Sequence, residues 1–228
     1  ATVAVISLCF PLHTTERFAR ELYRGIWDVA DIYRIEIVGG DIISGRSPLC
    51  INVTMLGRDE GLKPIRRSGA KIGDMILVTG ELGGSLLGKH LHFEPRLKEG
   101  LLLNKNFAVH AMIDISDGLT ADLNHILEES HVGAILYEDK IPVSKAAVEM
   151  SKITGNTPLY HALSDGEDYE LVIVLSKGQT KKVLGSDLFP GNMIHCIGEI
   201  VKGRGIRMKY ARADISHIKP QGYEHLRS

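Results

Sequence analysis

Ile113-Asp114-Ile115-Ser116-Asp117-Gly118 places two carboxylates and a hydroxyl where a strand hands over to a helix. Val109 to Ile115 is an apolar run that reads as a strand. Leu119, Leu123, Ile126 and Leu127 then recur on one helical face up to Ser130. Asp114 and Ser116 share a strand face by the two-residue period. Asp117 falls at or beside the helix N-cap, where backbone N–H groups also favour phosphate. Two readings stay open from spacing. In one, Asp114 and Asp117 hold Mg²⁺ while Ser116 or its backbone touches a phosphate. In the other, Asp117 is a plain cap and Asp114 a surface acid.

A second acidic string, Gly166-Glu167-Asp168-Tyr169-Glu170, precedes the apolar run Tyr169–Leu175. Crowded carboxylates cost several kcal/mol each when desolvated, on the order given for buried ions, unless a cation or donor compensates. Mg²⁺ is a hard cation that takes oxygen ligands and is commonly shared with phosphate. The alternative is a solvated acidic loop. Gly39-Gly40-Asp41 closes a short strand, Ile35–Val38, and reads as a tight turn or as a close backbone approach to a ligand with a metal-binding acid. Arg66-Arg67-Ser68-Gly69 is either a basic linker or a guanidinium clamp for phosphates. Gly83 to Lys89 imitates a P-loop, but His90 stands where a Ser or Thr should be and Leu86-Leu87 are bulky; a small-residue helix start fits better.

Working outward, Val3–Phe10 reads as a buried strand, and Thr14-Thr15-Glu16 opens a helix that runs to Asp31 through Phe18, Leu22, Ile26 and Val29. Leu49–Leu56 and Met75–Thr79 are strands, Glu94–Gly100 a charged loop and Leu101–Asn106 a helix. Ala134–Tyr137 is a strand, Ser144–Lys152 and Gln179–Leu188 are helices, and Ile194–Ile200 pairs with Ile206–Tyr210 as a hairpin around Lys202-Gly203-Arg204-Gly205. Hairpins among alternating strands and helices predict a mixed α/β (α+β) fold. Lys63–Asp74 is polar and basic, which sets the expected boundary between a domain over 1–62 and one over 63–228.

The 228 residues carry 27 Lys and Arg against 28 Asp and Glu, a net charge of −1, so a broad nucleic-acid surface is not expected. No apolar run reaches the roughly 18 residues of a membrane span. Cys9, Cys50 and Cys196 are odd in number and far apart, as for buried free thiols in a reducing compartment. Neither zinc spacing nor a nucleophile–His–acid triad emerges.

Together these strings resemble the thiamine-monophosphate kinase family, in the superfamily that also holds aminoimidazole-ribonucleotide synthetase. The segments that carry the resemblance are Val38–Asp41, Arg67–Asp74, Val78–Gly83, Ile113–Leu119, Gly166–Leu171 and Gly222-Tyr223-Glu224-His225. The resemblance implies a two-domain fold and transfer of the ATP γ-phosphate onto the phosphate of thiamine monophosphate. It implies several Mg²⁺ ions held by Asp41, Asp114 and Asp117, and ATP contacts from Gly40, Asp41, Arg67 and Ser116, with Arg67 stabilising charge. It implies thiamine monophosphate contacts from Glu167, Asp168 and Tyr223, the last by stacking. A cytoplasmic homodimer joined through the N-terminal ATP-binding domain is implied as well, with neither nucleic-acid nor membrane partners. The alternatives are a sister enzyme acting on a purine-pathway ribonucleotide and a non-catalytic MgATP-binding fragment. The chain departs from the family pattern in three places. Ser164-Asp165 precede a single Gly166 where two glycines are usual, and Ile42-Ile43 replace threonines. The family's opening segment, with its Asp-Asp pair, has no counterpart ahead of Ala1, so an incomplete N-terminal domain is expected.

Overall fold

The computed structural model describes residues 1–59, 61–191, 193–211 and 214–223. The chain divides into two compact units, Ala1–Gly61 and Leu62–Ser228.

The first unit contains β1 (Val3–Pro11), α1 (Glu16–Tyr33), β2 (Glu36–Gly45) and β3 (Cys50–Leu56). Its sheet has the order β2-β1-β3, with β1 parallel to β2 and antiparallel to β3. Thr15 caps α1 by accepting the Phe18 N–H at 3.2 Å, and Arg34 ends the helix in the left-handed conformation. Alternate β1 residues Ile6, Leu8 and Phe10 are buried against Ala19, Leu22, Tyr23 and Ile26 of α1. The expected end of β2 at Gly39-Gly40-Asp41 is corrected, because the strand runs on to Gly45. Gly40 is paired with Ile6, and a Cβ there would fall on the Ile6 carbonyl, so glycine lets the two strands approach instead of breaking one.

The second unit contains β4 (Met75–Thr79), α2 (Leu97–Asn106), β5 (Val109–Asp114), α3 (Leu119–Ser130), β6 (Gly133–Tyr137), α4 (Lys145–Thr154), α5 (Pro158–Ser164), β7 (Leu171–Leu175), α6 (Lys177–Leu184), β8 (Ile194–Val201), β9 (Gly205–Lys209) and β10 (Ile215–Ile218). They build a mixed sheet ordered β10-β9-β6-β8-β4-β7-β5. Period-two alternation sends Ile76, Val78, Val172 and Val174 to one face, under Leu119, Leu123 and Ile126 of α3. Leu77, Ile173 and Leu175 go to the other face, against Leu103 of α2 and Val183 of α6. The mixed α/β expectation therefore holds. The expected β8–β9 hairpin does not form, because β6 lies between the two strands, antiparallel to β8 and parallel to β9. Helix α2 begins within the stretch read as a charged loop. The three cysteines are free thiols, but their expected burial is corrected: Cys50 is exposed, and Cys9 and Cys196 are only half-buried. Among the described residues, no helix is long and apolar enough to cross a membrane.

Candidate functional site

The two acidic strings are laid against each other. Glu167 N–H donates to the Ser116 carbonyl at 2.7 Å and Tyr169 N–H to the Ile115 carbonyl at 2.8 Å, while Ile115 N–H donates to the Glu170 carbonyl at 2.8 Å. This strap continues the β5–β7 pairing past Asp114 and Leu171. It demands an unusual backbone: Glu167 and Tyr169 have φ of 52° and 51°, values sparsely populated by non-glycine residues and concentrated where surroundings enforce them. Gly166, at φ 71°, approaches so closely that a Cβ would lie 2.7 Å from the Ser116 carbonyl oxygen. Tyr223 joins from the C-terminal side, its N–H donating to the Asp117 carbonyl at 3.0 Å. The approach to α3 is fixed by Thr120, whose hydroxyl bonds both the N–H and the carbonyl of Gln221 at 2.9 Å. Glu224 and His225 of the same string lie outside the described residues.

Two clefts flank Ser116 and Asp117. One, of about 360 Å³, is lined by Arg67, Asp114, Ser116, Asp117, Asp122 and His125, with Met112 and Ile113. The other, of about 560 Å³, is lined by Leu86, Ser116, Asp117, Asp165, Glu167, Tyr169 and Tyr223. The structure thus brings Arg67, Asp114, Ser116 and Asp117 to one cleft and Glu167 and Tyr223 to a second that shares Ser116 and Asp117. Tyr169 stacks on Phe93, with ring centroids 3.9 Å apart. Burial raises the Tyr169 hydroxyl pKa, and the charges of Glu167 and Asp114 raise it further.

Asp122 and His125 emerge only in three dimensions. One Asp122 oxygen accepts the N–H groups of Ser116, Asp117 and Gly118 at 3.0, 3.0 and 3.1 Å. The N-cap is Gly118, not Asp117, and the amides expected to favour phosphate are taken by this carboxylate. Burial pushes Asp122 up to about 6, against the lowering effect of those amides. Ligand atoms of Asp117, Asp122 and His125 all lie within 4.8 Å of one another. Two carboxylates and an imidazole stand together here, with Asp114 exposed in the same cleft, and the carboxylate oxygens suit a hard divalent cation. The available sequence signal was an acid in the first turn of α3 and a histidine three residues on, both ordinary helix features.

The string 167–170 splits by environment. Glu167 faces the second cleft. Asp168 is only 2% exposed; it accepts the Gly83 N–H at 3.0 Å and the Ser85 hydroxyl at 2.5 Å. Burial pushes its carboxyl up to about 6, with Ser85 and Gly83 pulling the other way. The expectation that Asp168 touches substrate is corrected, since its side chain braces the 83–85 turn. Glu170 is buried too, and burial alone would raise its pKa. Arg96 at 2.7 and 2.8 Å, Lys89 at 2.8 Å and Thr79 at 2.7 Å outweigh that and hold it low. Lys89, the lysine of the P-loop imitation, therefore serves Glu170.

Gly40 and Asp41 belong to the first unit, where they line a cleft of about 560 Å³ with Ile6, Tyr23 and Ile37 to Ile42. Asp41 is exposed, and its carboxylate accepts the Ile42 N–H at 2.9 Å.

Both units match one class: the AIR synthase related protein N-terminal domain matches residues 1–58 and the C-terminal domain residues 73–211. The thiamine-monophosphate kinase of Rhodopirellula baltica is 38% identical over 97% of this chain and 69% of its own length. That of Buchnera aphidicola subsp. Schizaphis graminum is 38% identical over 70% of the chain, which spans only 54% of that relative. AaThiL complexed with AMPPCP and TMP superposes with a TM-score of 0.83 at 26% identity, covering 99% of this chain and 74% of that one. The chain belongs to the thiamine-monophosphate kinase family.

Proposed function

We propose that the protein transfers the γ-phosphate of ATP directly to the phosphate of thiamine monophosphate, giving thiamine diphosphate and ADP. The observation that carries this reading is that Ser116 and Asp117 line both clefts. A donor phosphate seated beside Arg67 and Asp114 and an acceptor phosphate reaching in from the Glu167 and Tyr223 side would meet at those two residues. In the transfer, an acceptor phosphate oxygen forms a bond to the γ-phosphorus while the bond from that phosphorus to the β–γ bridging oxygen breaks. The attacking oxygen is already anionic near neutral pH, so neither a general base nor a side-chain nucleophile is needed. Phosphoryl transfer asks the protein for alignment and charge neutralisation. Asp114 and Asp117 would hold Mg²⁺, which supplies Lewis-acid neutralisation of the phosphates when bound. Arg67 offers a planar, bidentate donor to phosphate oxygens. Ser116 sits at the meeting point, and Tyr223 offers a ring face to the acceptor. In the first unit, Gly40 and Asp41 are assigned to nucleotide and metal, on the strength of the family resemblance. The same reading covers a cytoplasmic homodimer joined through the first unit, whose α1 and β3 border an apolar groove lined by Leu22, Ile26, Val29, Val53 and Met55.

The decisive experiment measures ADP release by the full-length protein with and without thiamine monophosphate. Release that needs the acceptor, with thiamine diphosphate as the co-product, is expected. Release independent of it, or none, overturns the reading.

A further inference from the structure

Asp165 contributes to the second cleft a carboxylate that the reaction just described leaves without a task. It terminates α5 in ordinary right-handed helical conformation. Both of its oxygens are held: His161 Nδ1 lies 2.7 Å from one, and the Gly84 N–H donates to the other at 2.9 Å. The His161 and Asp165 side chains are 4% and 10% exposed. His161 Nε2 lies 2.8 Å from the Thr154 hydroxyl, a shorter contact than that hydroxyl makes to the Met150 carbonyl at 3.1 Å. The Asp165 carboxylate accepts at both oxygens, from the His161 Nδ1–H and from the Gly84 N–H. Asp117 and Glu167 line the same cleft, so three carboxylates face one space walled by the rings of Tyr169 and Tyr223. Lys89 and Arg96 are both committed to Glu170. Anions combined with aromatic faces favour a flat cation.

We propose that Asp165 is a specificity-determining residue that selects an acceptor whose planar ring carries a positive charge. Thiamine monophosphate meets that requirement through its thiazolium, so this inference rests on the acceptor reading above. His161 and Gly84 act as positioning groups that hold the carboxylate in place.

The test measures KM of the full-length protein, at saturating ATP, for thiamine monophosphate and for its deaza analogue, in which an uncharged thiophene replaces the thiazolium. The wild type prefers the cation. Asp165→Asn raises KM for thiamine monophosphate by about fivefold, the scale of one partly exposed charge pair, and leaves KM for ATP and for the neutral analogue unchanged. Asp165→Gly, checked for folding by thermal melting, collapses the preference in the same way. An equal rise for both acceptors, or an unchanged ratio in Asp165→Asn, overturns the inference and leaves Asp165 as a strut for the 83–85 turn. A wild type that phosphorylates neither acceptor overturns the functional reading and this inference with it.

Discussion

The clefts on either side of Ser116 and Asp117 differ in the chemistry of their walls. One offers Arg67, Asp114, Asp122 and His125, charged or metal-ligating groups at short range. The other offers Leu86, Tyr169 and Tyr223 around Asp165 and Glu167, beside the shared Asp117. Charge interactions fall away sharply when a partner is lost, whereas ring walls bind through area and tolerate erosion. Damage to the first cleft should therefore appear in kcat and damage to the second in KM for the acceptor.

The largest effect belongs to the carboxylates. Asp114→Asn or Asp117→Asn should lower kcat by about a thousandfold, since metal-derived neutralisation contributes several kcal/mol. Near-normal steady-state turnover at ordinary Mg²⁺ in either variant would sink their assignment. Arg67→Ala should cost about a hundredfold in kcat/KM for ATP, and Arg67→Lys should recover little of it because an ammonium lacks the planar fork. Full rescue by lysine would reduce Arg67 to a general positive charge. Tyr223→Ala should raise KM for thiamine monophosphate by about tenfold through lost stacking while leaving KM for ATP alone. If both constants rise together, the division between the clefts is broken.

The smallest effect on turnover is expected at Asp168, which lies outside both clefts. Its folded carboxyl is raised from 3.8 to about 6. The folded state consequently binds its proton more tightly than the unfolded chain, and stability is fully present at low pH and lost as pH climbs from 3.8 to about 6. That loss amounts to about 3 kcal/mol by linkage. Asp168→Asn should flatten this part of the profile, so denaturant titrations at pH 4 and pH 7 should show the variant gaining on the wild type as pH rises. An identical pH slope in the two proteins would show that Asp168 is not the titrating group.

Sequence reading succeeded where the signal was local. The Thr15 cap and the α3 face of Leu119, Leu123, Ile126 and Leu127 are set by neighbours within a few turns. The β8–β9 hairpin failed because a glycine-rich turn says where a chain bends and not which strand fills the gap; burial of β6 decided that. The short helix α5 carried readable signs, Thr157 as a cap and Pro158 in its first turn. Asp168 was misassigned for a conformational reason. The left-handed backbone at Glu167 and Tyr169 breaks the alternation that would tell one side of 167–170 from the other, and only Gly166 hints at it. The mutual bonding of the two acidic strings joins residues far apart along the chain, which no local pattern records.

Tyr223 reaches its cleft because Gln221 is clasped by Thr120 and its own amide is tied to the Asp117 carbonyl. Gln221 and Tyr223 thus take their place from α3 and the turn before it, not from structure of their own. A version trimmed before Gln221 should keep its melting behaviour better than its grip on thiamine monophosphate.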